Sequence, residues 1–249
     1  MPRFFLEVLY RGTNFSGFQV QANAVTIQQE IEKAFKILQK DDIVLTGSSR
    51  TDAGVHARQN FFHFDYDKTV HEHFVYKMNA IVSEDIVIRN LIAVNPNAHC
   101  RFDAISREYK YFIYRHKDPF LRDRSYFYPY KIDLERMQQA AELIKQYQDF
   151  SSFSKRRTQV KTFICNIHCS EWIDEKDRLI YYVKADRFLR GMVRALVATM
   201  LLVGRKKVSL EEFKMIIENK DASKANFAVP AHGLFLMAVN YAENYFLPV

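Results

Sequence analysis

Gly47-Ser48-Ser49-Arg50-Thr51-Asp52-Ala53-Gly54-Val55-His56-Ala57 lies between two apolar runs, Ile43-Val44-Leu45 before it and Asn60-Phe61-Phe62-His63-Phe64 after it. Small, turn-forming and charged residues flanked in this way predict a strand, a tight loop and a second strand. Gly47 and Gly54 allow a positive φ or a close backbone approach, and Arg50 and Asp52 place opposite charges on one loop. On residue type alone Asp52 reads first as a turn residue bonding its own backbone, with an ionised carboxylate held beside a cation as the alternative.

Outward from this loop the pattern is regular. Arg3 to Tyr10 is an expected strand, followed by the loop Arg11 to Gly17. Thr26 and Gln29 have capping-box spacing, and Ile27, Ile31, Ala34, Phe35 and Leu38 recur along one helical face. Ile43 to Leu45 and the run through Phe64 are strands, His71 to Ile81 a helix, and Asp85 to Val94 a strand. The order β-α-β-β-α-β is that of a ferredoxin-like unit.

Asn95-Pro96-Asn97-Ala98-His99 interrupts the pattern and sets an expected domain boundary, giving domains 1–98 and 99–249. The second half repeats the first in outline. Glu108 to Tyr114 is a strand, and Asp133 caps a helix carrying Met137, Ala140, Ile144 and Tyr147. Phe163 to Trp172 and Leu179 to Ala185 form a strand pair. Phe188 to Val203 is an apolar helix, Ser209 with Glu212 opens another, and Gly233 to Tyr241 is a final strand. The fold class expected is therefore α+β, with two tandem ferredoxin-like domains whose antiparallel sheets join and leave a cleft along the seam.

Composition bounds the function. An apolar share of 48% and a charged share of 26% belong to an ordinary globular chain rather than a disordered one. Thirty-six Lys and Arg against 29 Asp and Glu give a net charge of +7, which favours a polyanionic partner. The 14 Tyr and 21 Phe serve mostly as core, although aromatics beside basic residues can also stack unpaired bases. Cys100, Cys165 and Cys169 form no CxxC pair, so neither a disulfide framework nor a zinc ribbon is indicated. His71-Glu72-His73 lacks further ligands at a recognised spacing, and no phosphate-cradling glycine loop occurs. No metal and no cofactor are expected. Met1 to Glu7 has no apolar core of signal-peptide length and no run approaches a membrane span, so a cytoplasmic location without membrane association is expected.

Arg50-Thr51-Asp52-Ala53-Gly54-Val55-His56-Ala57 resembles the signature loop of the TruA family of tRNA pseudouridine synthases. The resemblance runs along nearly the whole chain. Tyr10 to Gln19 is similar to the family's opening loop, with Phe18 where Trp is usual. Arg101-Phe102-Asp103-Ala104 with Arg107-Glu108-Tyr109-Lys110-Tyr111 resembles its second motif, Met192-Val193-Arg194 its arginine motif, and Ala228 to Leu236 its closing motif. Ser49, Gly191, Ala195 and Ala198 depart from the usual residues.

The resemblance implies a homodimeric, cofactor-independent isomerase that converts uridine to pseudouridine at positions 38 to 40 of the tRNA anticodon stem-loop by base flipping. It implies that Asp52 is catalytic, that Arg194 pairs with it, that Arg50 contacts the flipped nucleotide, and that Tyr109 and Leu234 line the base. Independently of the resemblance, a cation such as Arg194 in a Leu- and Val-rich helix is either an ion-pair partner or snorkels to solvent. Basic residues, among them Arg11, Lys155, Arg156, Arg157, Lys161 and Arg190, are candidates for holding the RNA backbone. The alternatives are a paralogue acting on another RNA and an RNA-binding protein without catalysis.

Overall fold

The computed structural model describes residues 1–155 and 160–246. In chain order the elements are β1 (Arg3–Tyr10), α1 (Ile27–Gln39), β2 (Thr46–Gly47), β3 (His56–Asp65), α2 (Phe74–Ile81), β4 (Ile86–Val94), β5 (Ser106–Tyr114), β6 (Tyr126–Phe127), α3 (Leu134–Leu143), β7 (Ile167–Glu175), β8 (Arg178–Ala185), α4 (Met192–Gly204), α5 (Leu210–Glu218) and β9 (Leu234–Asn240). The fold is mixed α+β. Among the described residues no helix is long and apolar enough to cross a membrane.

The chain forms two compact units: Met1–Ile105 together with the stretch that begins at Phe235, and Ser106–Leu234. In the first unit β1 runs antiparallel to both β3 and β4, with Phe5 opposite His63 and Ile92. β2 pairs antiparallel with β3, and β9 pairs parallel with it at His56↔Phe235 and Ala57↔Leu236. Helix α1 starts where Thr26 accepts a hydrogen bond from Gln29 N, and it buries Ile27, Ile31, Ala34 and Phe35. Phe35 meets Phe64, Tyr66 and Phe74 edge-on at centroid distances of 5.2–5.9 Å, an arrangement that suits ring quadrupoles. On the other face of β1, Phe5 packs against Phe61, Tyr241, Tyr245 and Phe246.

This second aromatic cluster is why the units differ from the expected division at 98/99. Tyr241 also donates its hydroxyl to Cys100 O at 2.6 Å, and Tyr245 donates to Asp103 at 2.6 Å. The C-terminal stretch therefore closes the core of the first unit rather than ending a separate one.

The second unit is built on the antiparallel sequence β5-β8-β7, with β6 parallel to β5. Its core holds Tyr111, Tyr181 and Val183 from the strands, Met137 and Ala140 from α3, and Leu196 and Met200 from α4. Asp133 caps α3 through Arg136 N, and α5 begins with a complete capping box between Ser209 and Glu212.

Several boundaries differ from expectation for identifiable reasons. Ile43 to Leu45 is not a strand: Glu32 accepts from Leu45 N at 3.1 Å and Gln28 donates to Leu45 O at 2.9 Å, so side chains of α1 take the backbone groups a ladder would use. The strand there is only Thr46–Gly47. Helix α2 begins at Phe74 because His73 sits in the left-handed region at φ 57°. β7 begins at Ile167 rather than Phe163, since Phe163 O and Cys165 N pair with Phe150 N and Gln148 O. α4 begins at Met192, after Gly191 at φ 77°.

Candidate active site

The signature stretch folds as a loop between β2 and β3 in the first unit, and His56 and Ala57 already belong to β3. Asp52 is partly exposed and Arg50 is exposed. The loop closes locally through Val55 N donating to Asp52 O at 3.1 Å, with Gly54 at φ 78° making the turn. The opening loop is laid against it. Phe18 N donates to Thr51 O at 3.2 Å, and Gly12 N donates to His56 Nδ1 at 3.1 Å. Phe18 stacks on Phe62 at 4.3 Å between ring centroids.

Beneath the loop lies a buried polar cluster that sequence reading did not single out. Asn60, with no exposed surface, donates to Ser49 O at 2.9 Å and to the Tyr10 hydroxyl at 3.2 Å. Its Oδ1 accepts from Ser48 Oγ at 2.7 Å, and the Tyr10 hydroxyl lies 2.8 Å from Thr51 Oγ1. An Asn inside the run Asn60-Phe61-Phe62 was the available signal, because an amide in a buried strand must find partners. Ser49 Oγ is buried without a hydrogen-bond partner among the described residues.

In the second unit, Arg194 stands in the first turn of α4 and is partly buried. Its Nε and Nη2 both donate to Val229 O, at 3.0 and 2.6 Å, which ties the arginine motif to the closing motif. The Tyr111 hydroxyl donates to Pro230 O at 2.8 Å in the same segment. Burial raises the Tyr111 pKa, and the Arg194 charge pulls it the other way. Leu234 is buried directly after the turn Ala231–Gly233. Tyr109 is buried on β5 with its ring edge-on to Phe188 at 5.0 Å. The role of that Phe was also not visible in the sequence.

Of the basic candidates, Lys155 and Arg190 are brought together by Lys155 N donating to Arg190 O at 2.9 Å. Arg190 and Lys161 are exposed. Arg11 forms an ion pair with the mostly buried Asp85 at 2.6 Å, an acid that also accepts from Asn14. Arg156 and Arg157 lie outside the described residues.

Among the described residues one group, His63, His99 and Cys100, gathers metal-ligand atoms within 4.8 Å of one another. Its chemistry argues for packing. His99 Nδ1 accepts from Arg101 N and Phe102 N, so ligation through the other nitrogen would require a proton where two amides already point. His63 Nδ1 accepts from Cys100 N at 3.4 Å. Burial first, and then the charges of His99 and Arg3, push His63 down to about 4.

A family described as tRNA pseudouridine synthase matches residues 144–242. Over 248 residues the chain is 43% identical to a protein of Parabacteroides distasonis, covering 99% of this chain and 98% of the relative. It is 42% identical to one of Bacteroides thetaiotaomicron over 250 residues, covering 99% of this chain and 93% of the relative. It is 36% identical to one of Staphylococcus aureus over 245 residues, covering 97% and 92%. All three relatives are named tRNA pseudouridine synthase A.

Proposed function

The chain belongs to the tRNA pseudouridine synthase A family, and from that premise we propose that Asp52 is the carboxylate on which its isomerisation of uridine in tRNA depends. The reaction breaks the N1 to C1′ bond, turns the uracil and joins C5 to C1′, with the C5 proton leaving and N1 regaining a proton. No net oxidation or reduction occurs, and no cofactor is assigned.

The observation that carries the reading is the placement of Asp52, a partly exposed carboxylate at the turn of a loop whose neighbours are tied into a buried hydrogen-bond network. Arg194 serves as its guanidinium partner, since a nearby cation favours the ionised form of a carboxylate. Its Nε and Nη2 bonds to Val229 O would hold that side chain in one orientation. Arg50, exposed two residues before Asp52, contacts the flipped nucleotide. Tyr109 and Leu234 line the extruded base, and the packing of Tyr109 against Phe188 favours a fixed ring.

The substrate is the anticodon stem-loop, with uridines 38 to 40 the target. Lys155, Arg190 and Lys161 hold its backbone, with Arg156, Arg157 and Arg11 as further contacts. The enzyme acts in the cytoplasm as a homodimer. Each unit is ferredoxin-like: in the first, the order β4-β1-β3-β2 with two helices supports this, and in the second, β5-β8-β7 with α3 between β5 and β7.

The test is release of tritium from C5-labelled uridine in unmodified tRNA. Wild type should release it, and Asp52→Asn should not, while filter binding of tRNA remains. Normal release by a folded Asp52→Asn protein would remove Asp52 from the mechanism.

A further inference from the structure

We propose that Tyr10, Thr51 and Asn60 are positioning residues that fix the backbone on the N-terminal side of Asp52. The inference rests on the reading of Asp52 given above. Asn60 uses its whole amide: Nδ2 donates to Ser49 O and to Tyr10, while Oδ1 accepts from Ser48 Oγ and from Phe61 N at 2.9 Å. Because Asn60 sits on β3, the N-terminal limb of the loop is referenced to a sheet strand rather than to solvent.

Tyr10, at the end of β1, carries the hold two residues closer to the carboxylate, from Ser49 to Thr51, through its 2.8 Å hydrogen bond with Thr51 Oγ1. Thr51 is held a second time through its carbonyl, by Phe18 N. Tyr10, Thr51, Ser48 and Asn60 are all at most 9% exposed, so water cannot substitute for a lost partner without opening the site. In a low-dielectric setting such a satisfied network is stiff, and a site is only as well placed as the groups that hold it.

The positions of the carboxylate's neighbours therefore depend on a chain of neutral hydrogen bonds, Asn60 to Tyr10 to Thr51, that a hydroxyl deletion would interrupt without touching Asp52. Thr51→Val removes the hydroxyl while keeping the shape, and Tyr10→Phe removes the other end while keeping the ring that packs near Phe18. A misplacement of this kind acts on the chemical step, where an ångström can cost about a hundredfold.

Single-turnover tritium release and tRNA binding would be measured for wild type, Thr51→Val, Thr51→Ser and Tyr10→Phe, with the folded fraction of each determined by urea unfolding. The expected result is a fall of about ten- to a hundredfold in the single-turnover rate per folded molecule for Thr51→Val and Tyr10→Phe. Binding of tRNA should be unchanged, and Thr51→Ser should recover most of the rate. Equal rates per folded molecule in all four proteins would overturn the proposal, as would a loss confined to binding, or a Thr51→Ser protein as slow as Thr51→Val. Normal release by a folded Asp52→Asn protein would instead refute the underlying reading of Asp52 and leave the outcome for Thr51 and Tyr10 separately readable.

Discussion

Gly12 lies in the short turn after β1, and a methyl group added to it would stand 2.0 Å from Val55 O and 2.7 Å from Val55 C. Side-chain carbons essentially never come within 3.0 Å of such an atom, so accommodating alanine requires a separation of at least 1.0 Å between the opening loop and the Asp52 loop. Both contacts are backbone, and no rotamer change can relieve them. Overpacking of this kind costs about 1–3 kcal/mol, which at roughly 2–4 °C per kcal/mol lowers the melting temperature by about 2–12 °C. The shift falls three residues from Asp52, so Gly12→Ala should also lower single-turnover tritium release by about a hundredfold per folded molecule. Gly12 is not in the left-handed region, which leaves the close approach as the sole steric reason for glycine. Wild-type melting and a wild-type rate in Gly12→Ala would refute the reasoning, because the two loops would then not be pressed together as described.

Two further outcomes follow from buried groups. His63 titrates near 4 in the folded chain against 6.5 for an ordinary imidazole; between those values the unfolded chain holds the extra proton, so this contribution is full above pH 6.5 and is lost as pH falls toward 4. Its size is about 3 kcal/mol at most, and urea unfolding across that window should show a flatter pH dependence in His63→Gln than in wild type. Ser49→Ala removes a buried hydroxyl without a partner and should raise the urea midpoint, by about 1 kcal/mol in stability; a lowered midpoint would mean that the hydroxyl is satisfied.

What was legible in the sequence is what depends on local pattern. Thr26, Asp133 and Ser209 announced their helices because a cap needs only an oxygen and an amide a few residues on. The apolar periodicity of α1 likewise survives in its buried face, and the apolar run of β1 is buried from Phe5 to Val8. The strand expected at Ile43 to Leu45 failed because two side chains of α1, remote in sequence, claim the Leu45 backbone. The domain boundary moved for a similar reason: nothing near Asn95 discloses that Tyr241, Tyr245 and Phe246 complete the packing around Phe5. At the candidate site, the motifs alone pointed to Asp52 and Arg194. They did not point to Asn60 and Tyr10, whose roles exist only once β1 and β3 are paired and the loop is folded over them.

The loop is therefore held in a way that differs in kind from what it carries. Tyr10, Ser48, Thr51 and Asn60 are uncharged at neutral pH, and together they fix the backbone on the N-terminal side of Asp52. A charged brace in the same buried position would have required its own counter-ion and desolvation. It would also have added a field beside the carboxylate proposed to carry the reaction. A neutral brace separates the two tasks: geometry comes from hydrogen bonds within the first unit, and in the proposed reading electrostatic control is left to guanidinium groups. On this division, deleting a hydroxyl at Thr51 or Tyr10 should slow catalysis without changing its pH profile, whereas replacing Arg194 should alter both.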